Sequence, residues 1–144
     1  MKPAIVLATV LVFGATQTSN QSFAGTWTAE HANQTFVRLE LEGAGAAIGG
    51  RISLGDIELD KSGQVKIAKA APPNPTPIFD VAERAGKLTF ARKDGRDTDR
   101  FELKLVDATS AELTFVLTEA SRKELAAQAI SEFKPLRLKK LARN

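Results

Sequence analysis

The sequence predicts an all-β domain, an antiparallel up-and-down β-barrel of about 8–10 short strands with one late α-helix, the alternative being a β-sandwich. Three observations predict it. From Gly25 onward the hydropathy alternates with period two, turn signals recur at spacings of roughly 8–12 residues, and only the stretch after Ser121 has helical spacing. Its 144 residues leave room for one domain.

Residues 1–15 form a leader: Lys2 near the start, an apolar run from Ala4 to Val12, and small residues at Gly14 and Ala15. This three-part layout is that of a secretory signal peptide with cleavage between about 14 and 18, and the run is shorter than the roughly 20 residues of a membrane span. Residues 16–22 are then a flexible linker, residues 23–141 the single β-barrel domain, and residues 142–144 a basic end. Export predicts a secreted or periplasmic protein with no transmembrane segment once the leader is removed.

The first strand opens at Gly25-Thr26-Trp27, with the only tryptophan. In the next, Val37, Leu39 and Leu41 share one face and Arg38, Glu40 and Glu42 the other, the pattern of a half-buried strand. Gly43-Ala44-Gly45 turns the chain into a partner strand through Ile48, Ile52 and Leu54. Ile57, Leu59, Val65 and Ile67 continue the apolar face around Lys61-Ser62-Gly63. Pro72-Pro73-Asn74-Pro75-Thr76-Pro77 interrupts any ladder, since proline donates no N–H, and reads as a stiff rim connection. Ile78 to Val81 is a short strand, Lys87 to Arg92 another. Asp94-Gly95 signals a hairpin into a strand with Phe101, Leu103 and Leu105 inward, and Leu113, Phe115 and Leu117 follow. Ser121-Arg122-Lys123-Glu124 has the form of a capping box, and Leu125, Ala126, Ala129, Ile130 and Phe133 form one stripe, so the helix is expected over 121–133. Pro135 ends it, and Leu136 to Lys139 is a last strand.

Composition excludes several chemistries. There is no cysteine, hence no disulfide, thiolate nucleophile or cysteine-ligated metal, and the single histidine, His31, falls in the first hairpin turn with no G-x-S-x-G elbow elsewhere. The formal charge of +3 belongs to the ends: Lys2, Lys134, Arg137, Lys139, Lys140 and Arg143 outweigh a net acidic body. Without aromatic residues in that basic tail, nucleic acid is not a predicted partner. Asp94, Asp97 and Asp99 lie among Arg92, Lys93, Arg96 and Arg100, a charged hairpin end rather than a calcium loop. No metal site, cofactor or catalytic residue is predicted.

The Gly25-Thr26-Trp27 opening, the run of short strands, the late helix and the basic close resemble the lipocalin and avidin-like (calycin-type) barrels, including exported bacterial lipocalin-like domains of unassigned function. The resemblance implies that Gly25 and Trp27 sit at the closed end of a barrel, with a basic side chain, Arg137 by analogy, covering the indole. Departures are the absence of tyrosine and a short mature region. Phe79, Phe90, Phe101 and Phe115 are core residues first and ligand-pocket candidates second. The leading functional expectation is an exported, non-enzymatic barrel holding a small apolar or amphipathic ligand in its interior. The alternative is a structural or interaction module with a filled core that docks a cell-envelope protein. A hydrolase using Glu40, Glu42, Glu58 or Asp60 ranks third, because all four fall on outward strand faces.

Overall fold

Ten strands, one 3-10 turn and one helix make up residues 22–142, the part of the chain that the computed structural model describes. The leader and most of the linker lie outside the described residues. The strands are β1 (Gly25–His31), β2 (Gln34–Glu42), β3 (Gly49–Leu54), β4 (Ile57–Leu59), β5 (Val65–Ala68), β6 (Thr76–Arg84), β7 (Lys87–Asp94), β8 (Asp97–Leu105), β9 (Ser110–Val116) and β10 (Leu136–Lys140). The helix, α1, spans Glu119–Ala127. Eight strands close an antiparallel barrel in the order β1-β10-β9-β8-β7-β6-β3-β2, while β4 and β5 form a separate two-stranded sheet.

Alternation positions this core. Trp27, Val37, Leu39, Ile52, Leu88, Phe90, Phe101, Leu103, Leu113 and Leu138 all point inward and keep under 2% of their surface. Side chains bordering a void large enough for water would keep accessible surface; these ten do not, so they pack against one another, while Ile78, Val81, Leu105 and Phe115 around them stay partly exposed.

The closure is uneven. A three-stranded sheet, β1–β3, meets a five-stranded sheet, β6–β10, at two seams. The β1–β10 seam has only Trp27↔Lys140 and Thr28↔Lys139 in register, the β3–β6 seam only Arg51↔Pro77 and Ile52↔Thr76. By contrast β7 and β8 stay in register from Lys87↔Lys104 to Asp94↔Asp97. A bulge accompanies each gap. Opposite Ala29 and Glu30, β2 carries one extra residue, Phe36, and between Phe79 and Ala82 an extra residue bends β6, with Asp80 at φ 52.

Turn geometry closes the hairpins. Ala32 and Asn33 both have positive φ, as do Ala85 and Gly86, which is the type I′ pattern whose twist suits two-residue hairpins. Gly95 occupies the first position of the β7–β8 turn with φ 66 while Arg96 stays in ordinary space, so here glycine supplies the conformation and Asp94 is the last residue of the strand.

The helix departs from the expected 121–133. Its N-cap is Thr118, whose hydroxyl accepts from the Ser121 N–H at 3.1 Å, so Ser121 lies inside the first turn rather than capping it. It ends at Ala127 because Ala129 turns left-handed (φ 62), with Ile130 N–H donating to the Leu125 carbonyl and Ala129 N–H to that of Ala126, the double bond of a Schellman motif. No residue of α1 is buried. Beyond the turn at Gln128 and Ala129 the chain has no regular structure until Leu136, and there Ile130 and Phe133 do the packing.

Candidate functional site

The Trp27 end of the barrel is a cap. The indole points inward opposite Leu39, its Nε1–H donates to the Phe23 carbonyl at 2.9 Å, and Phe23 is itself buried. The cation over its face is Lys140, with Nζ 5.3 Å from the ring centroid. Arg137, assigned that place by analogy, is instead on the outer face. It stands opposite Glu112 in register, 58% exposed, its guanidinium 3.5 Å from that carboxylate. The reason is register: Trp27 pairs with Lys140, three residues further on. Gly25 lies beneath the Lys140 stem, where a Cβ would press against Cε, so the glycine lets the lysine fold over the indole.

The four phenylalanines divide. Phe90 and Phe101 stack at 5.2 Å between centroids, Phe115 meets Phe101 edge-on at 5.0 Å, and Phe133, which the alternation did not single out, stacks on Phe115 at 4.6 Å. Phe79 is not in this column. The extra residue of the β6 bulge sends Ile78 and Val81 both toward the core, leaving Phe79 half-buried on the outer face with Ala91. Near the stack, alternation turns Arg92 inward with Phe90; it is 14% exposed and held by Asp99 at 3.1 Å and Asp94 at 3.8 Å. Two of the three hairpin aspartates are thus engaged by one arginine, and no metal-holding cluster of acids or histidine occurs among the described residues.

The surface carboxylates do not make an acid–base pair. Glu40 and Glu42 border one shallow cleft beside Gly25. Hydrogen bonds from Arg51 (2.8 Å) and Arg38 (2.9 Å) hold the Glu40 carboxyl below its ordinary pKa, the opposite of what a general acid needs. Asp60 is likewise lowered, by the Ser62 hydroxyl and the Gln64 N–H in its turn. Glu58 faces away on β4, exposed.

Two further clefts follow the seams. Where β6 leaves β3, Gly45, Ala46, Val81, Ala82 and Gly86 border about 500 Å³ of open space. Where β1 leaves β10, Phe36 and Leu136 floor a cleft of about 230 Å³ rimmed by Glu30, His31, Lys134 and Arg137. His31 is more than a turn residue: its Nε2 lies 3.0 Å from the Lys66 carbonyl, tying the barrel to the β4–β5 hairpin. Alternation could not reveal these clefts, because they come from where pairing stops.

Comparison with protein-family models, with curated proteins and with solved structures gave no match. The architecture is that of an eight-stranded antiparallel barrel of lipocalin-like form in general, and the chemistry must be read from the residues.

Proposed function

We propose that this protein is an exported, non-enzymatic barrel of calycin type that serves as an interaction module, docking a cell-envelope protein while its core stays filled. The observation that supports this reading is the packed interior, where ten inward side chains keep less than 2% of their surface. The docking element we assign is the β4–β5 hairpin. It stands outside the barrel ladder, and Ile67 on it is 47% exposed although alternation placed it on the apolar face. Export rests on the leader in residues 1–15.

The test pairs two measurements. Affinity capture from periplasmic extract with the wild-type chain and with Ile67→Lys should recover one envelope protein that the variant loses; equal capture by both, or no partner, overturns the docking reading. Titration with a fluorescent fatty-acid analogue should show no saturable binding in the interior; saturable binding lost on enlarging Leu113 to Trp would restore the carrier instead. N-terminal mass spectrometry of the exported chain should find Met1 absent.

A further inference from the structure

We infer that the cleft at the β1–β10 seam is a binding site for a small carboxylate carrying a short apolar body. This goes beyond the docking role; the cleft shares Val65 with the β4–β5 hairpin, but Ile67, the residue whose substitution tests docking, is not among the cleft residues.

The site is built by the failure of a ladder. After Thr28↔Lys139 the register would set Ala29 against Leu138 and then Glu30 against Arg137, but the pairing stops there, level with the bulge that adds Phe36 to β2 opposite Ala29 and Glu30. Along β10, Lys140 N–H donates to the Thr109 carbonyl on the β9 side, while Leu141 N–H donates to the Thr26 carbonyl on the β1 side. Even-numbered residues therefore face β9 and odd-numbered ones β1. The Arg137 main-chain N–H accordingly points toward β1, on the side where register pairing has ended.

Side chains agree with the backbone. Lys134 and Arg137 stand on the rim against one acid, Glu30. Both cations have exposed carboxylate partners, Glu132 at 2.9 Å and Glu112 at 3.5 Å. Such surface pairs hold their partners weakly, so a ligand carboxylate can share or replace them, and the guanidinium has donors for two acceptors. The floor is apolar: Phe36 and Leu136 are buried, with Val65 from β5 closing one side. A carboxylate at the rim with a few carbons over Phe36 and Leu136 satisfies both halves, whereas an inorganic anion would leave the floor uncovered. The volume of about 230 Å³ limits the body to a short chain or one ring.

His31 makes the test direct, because it is the only histidine and its Cε1–Hε1 signal is unique. The labelled exported chain is titrated with sodium butyrate, and with sodium chloride and butylammonium chloride at the same ionic strength. Butyrate should shift the His31 signal and the Arg137 amide saturably, while both controls leave them in place. Arg137→Gln should weaken butyrate roughly tenfold, as the loss of a charge-assisted hydrogen bond does, with the rest of its amide spectrum unchanged. Glu30→Gln should tighten it by removing the one acid on the rim. Shifts linear in butyrate, equal shifts from chloride, or an Arg137→Gln chain that binds as the wild type would each overturn the site.

Discussion

Trp27 joins three functions in one side chain: it fills the barrel end, donates to the Phe23 carbonyl, and lies under the Lys140 ammonium. Trp27→Ala removes all three, and the cost should be about 3–5 kcal/mol, the range for a buried large aromatic in a core that cannot collapse. Denaturant unfolding measures it, and a change near zero would show that the cap is not part of the folding core. Lys140→Gln tests the cation alone. With Nζ 5.3 Å from the ring and the site near the surface, its loss should be closer to about 0.5–1 kcal/mol. The tryptophan was legible in the sequence because a lone indole beside glycine at a first strand has few places to go. Its covering base was not, since Arg137 and Lys140 lie on one short strand and only the register with β1 chooses between them. Arg92 was hidden for a related reason: a hairpin-end arginine looks solvated until alternation is counted from Phe90 and the partner Asp99 is found across the ladder.

Among the elements, β2 was readable from Val37 onward: Val37, Leu39 and Leu41 are buried and Arg38 and Glu42 exposed, as period two requires, while Phe36, the extra residue of the bulge, is buried beside Val37. Strand β6 and helix α1 were not, because a single left-handed residue, Asp80 in one and Ala129 after the other, breaks a period that the amino-acid types alone continue. The same conformation at Ala85 gives a stability prediction. A Cβ costs about 1–2 kcal/mol in left-handed space and asparagine tolerates it best, so Ala85→Asn ahead of Gly86 should stabilise the β6–β7 hairpin by up to about 1 kcal/mol, seen as a raised Tm. A lowered Tm would contradict the type I′ turn. The outer face of β2 and β3 gives a second. Arg51 and Arg38 hold the Glu40 pKa below its ordinary 4.5, so its ionised form contributes stability above that value, and the contribution is lost as pH falls through the lower folded-state pKa. Asp60 and Asp107, lowered by hydrogen bonds in their turns, act in the same direction. Acid unfolding should therefore steepen below the ordinary carboxylate range, and Glu40→Gln should flatten part of that slope while lowering stability slightly at neutral pH. An unchanged slope would mean that the Arg38–Glu40–Arg51 contact carries nothing in solution.

On the scale of the whole molecule, a barrel is described as an object without edges, but this one approaches a sandwich whose two sheets are sewn together at two short seams. The closure abolishes most edges, as a barrel should, while a cleft lies beside each seam, next to the bulges at Phe36 and Asp80. The sequence pointed to both architectures, barrel and sandwich, because inward alternation is common to them; the distinction lies in how many pairs join β1 to β10 and β3 to β6, which only three-dimensional register decides. Stability should follow that division. Local opening needs few bonds to break where two register pairs hold a seam, and many where the β7–β8–β9 ladder runs through Phe90, Phe101, Leu103 and Leu113. Native-state hydrogen exchange should therefore rank the amides at Thr28, Lys139, Ile52 and Thr76 below those of Phe101 and Leu113 in opening free energy, with the latter exchanging only through global unfolding. If the seam amides proved as protected as the β8 amides, the two sheets would open as one cooperative unit, and the seam clefts would be too rigidly held to admit a ligand by loosening.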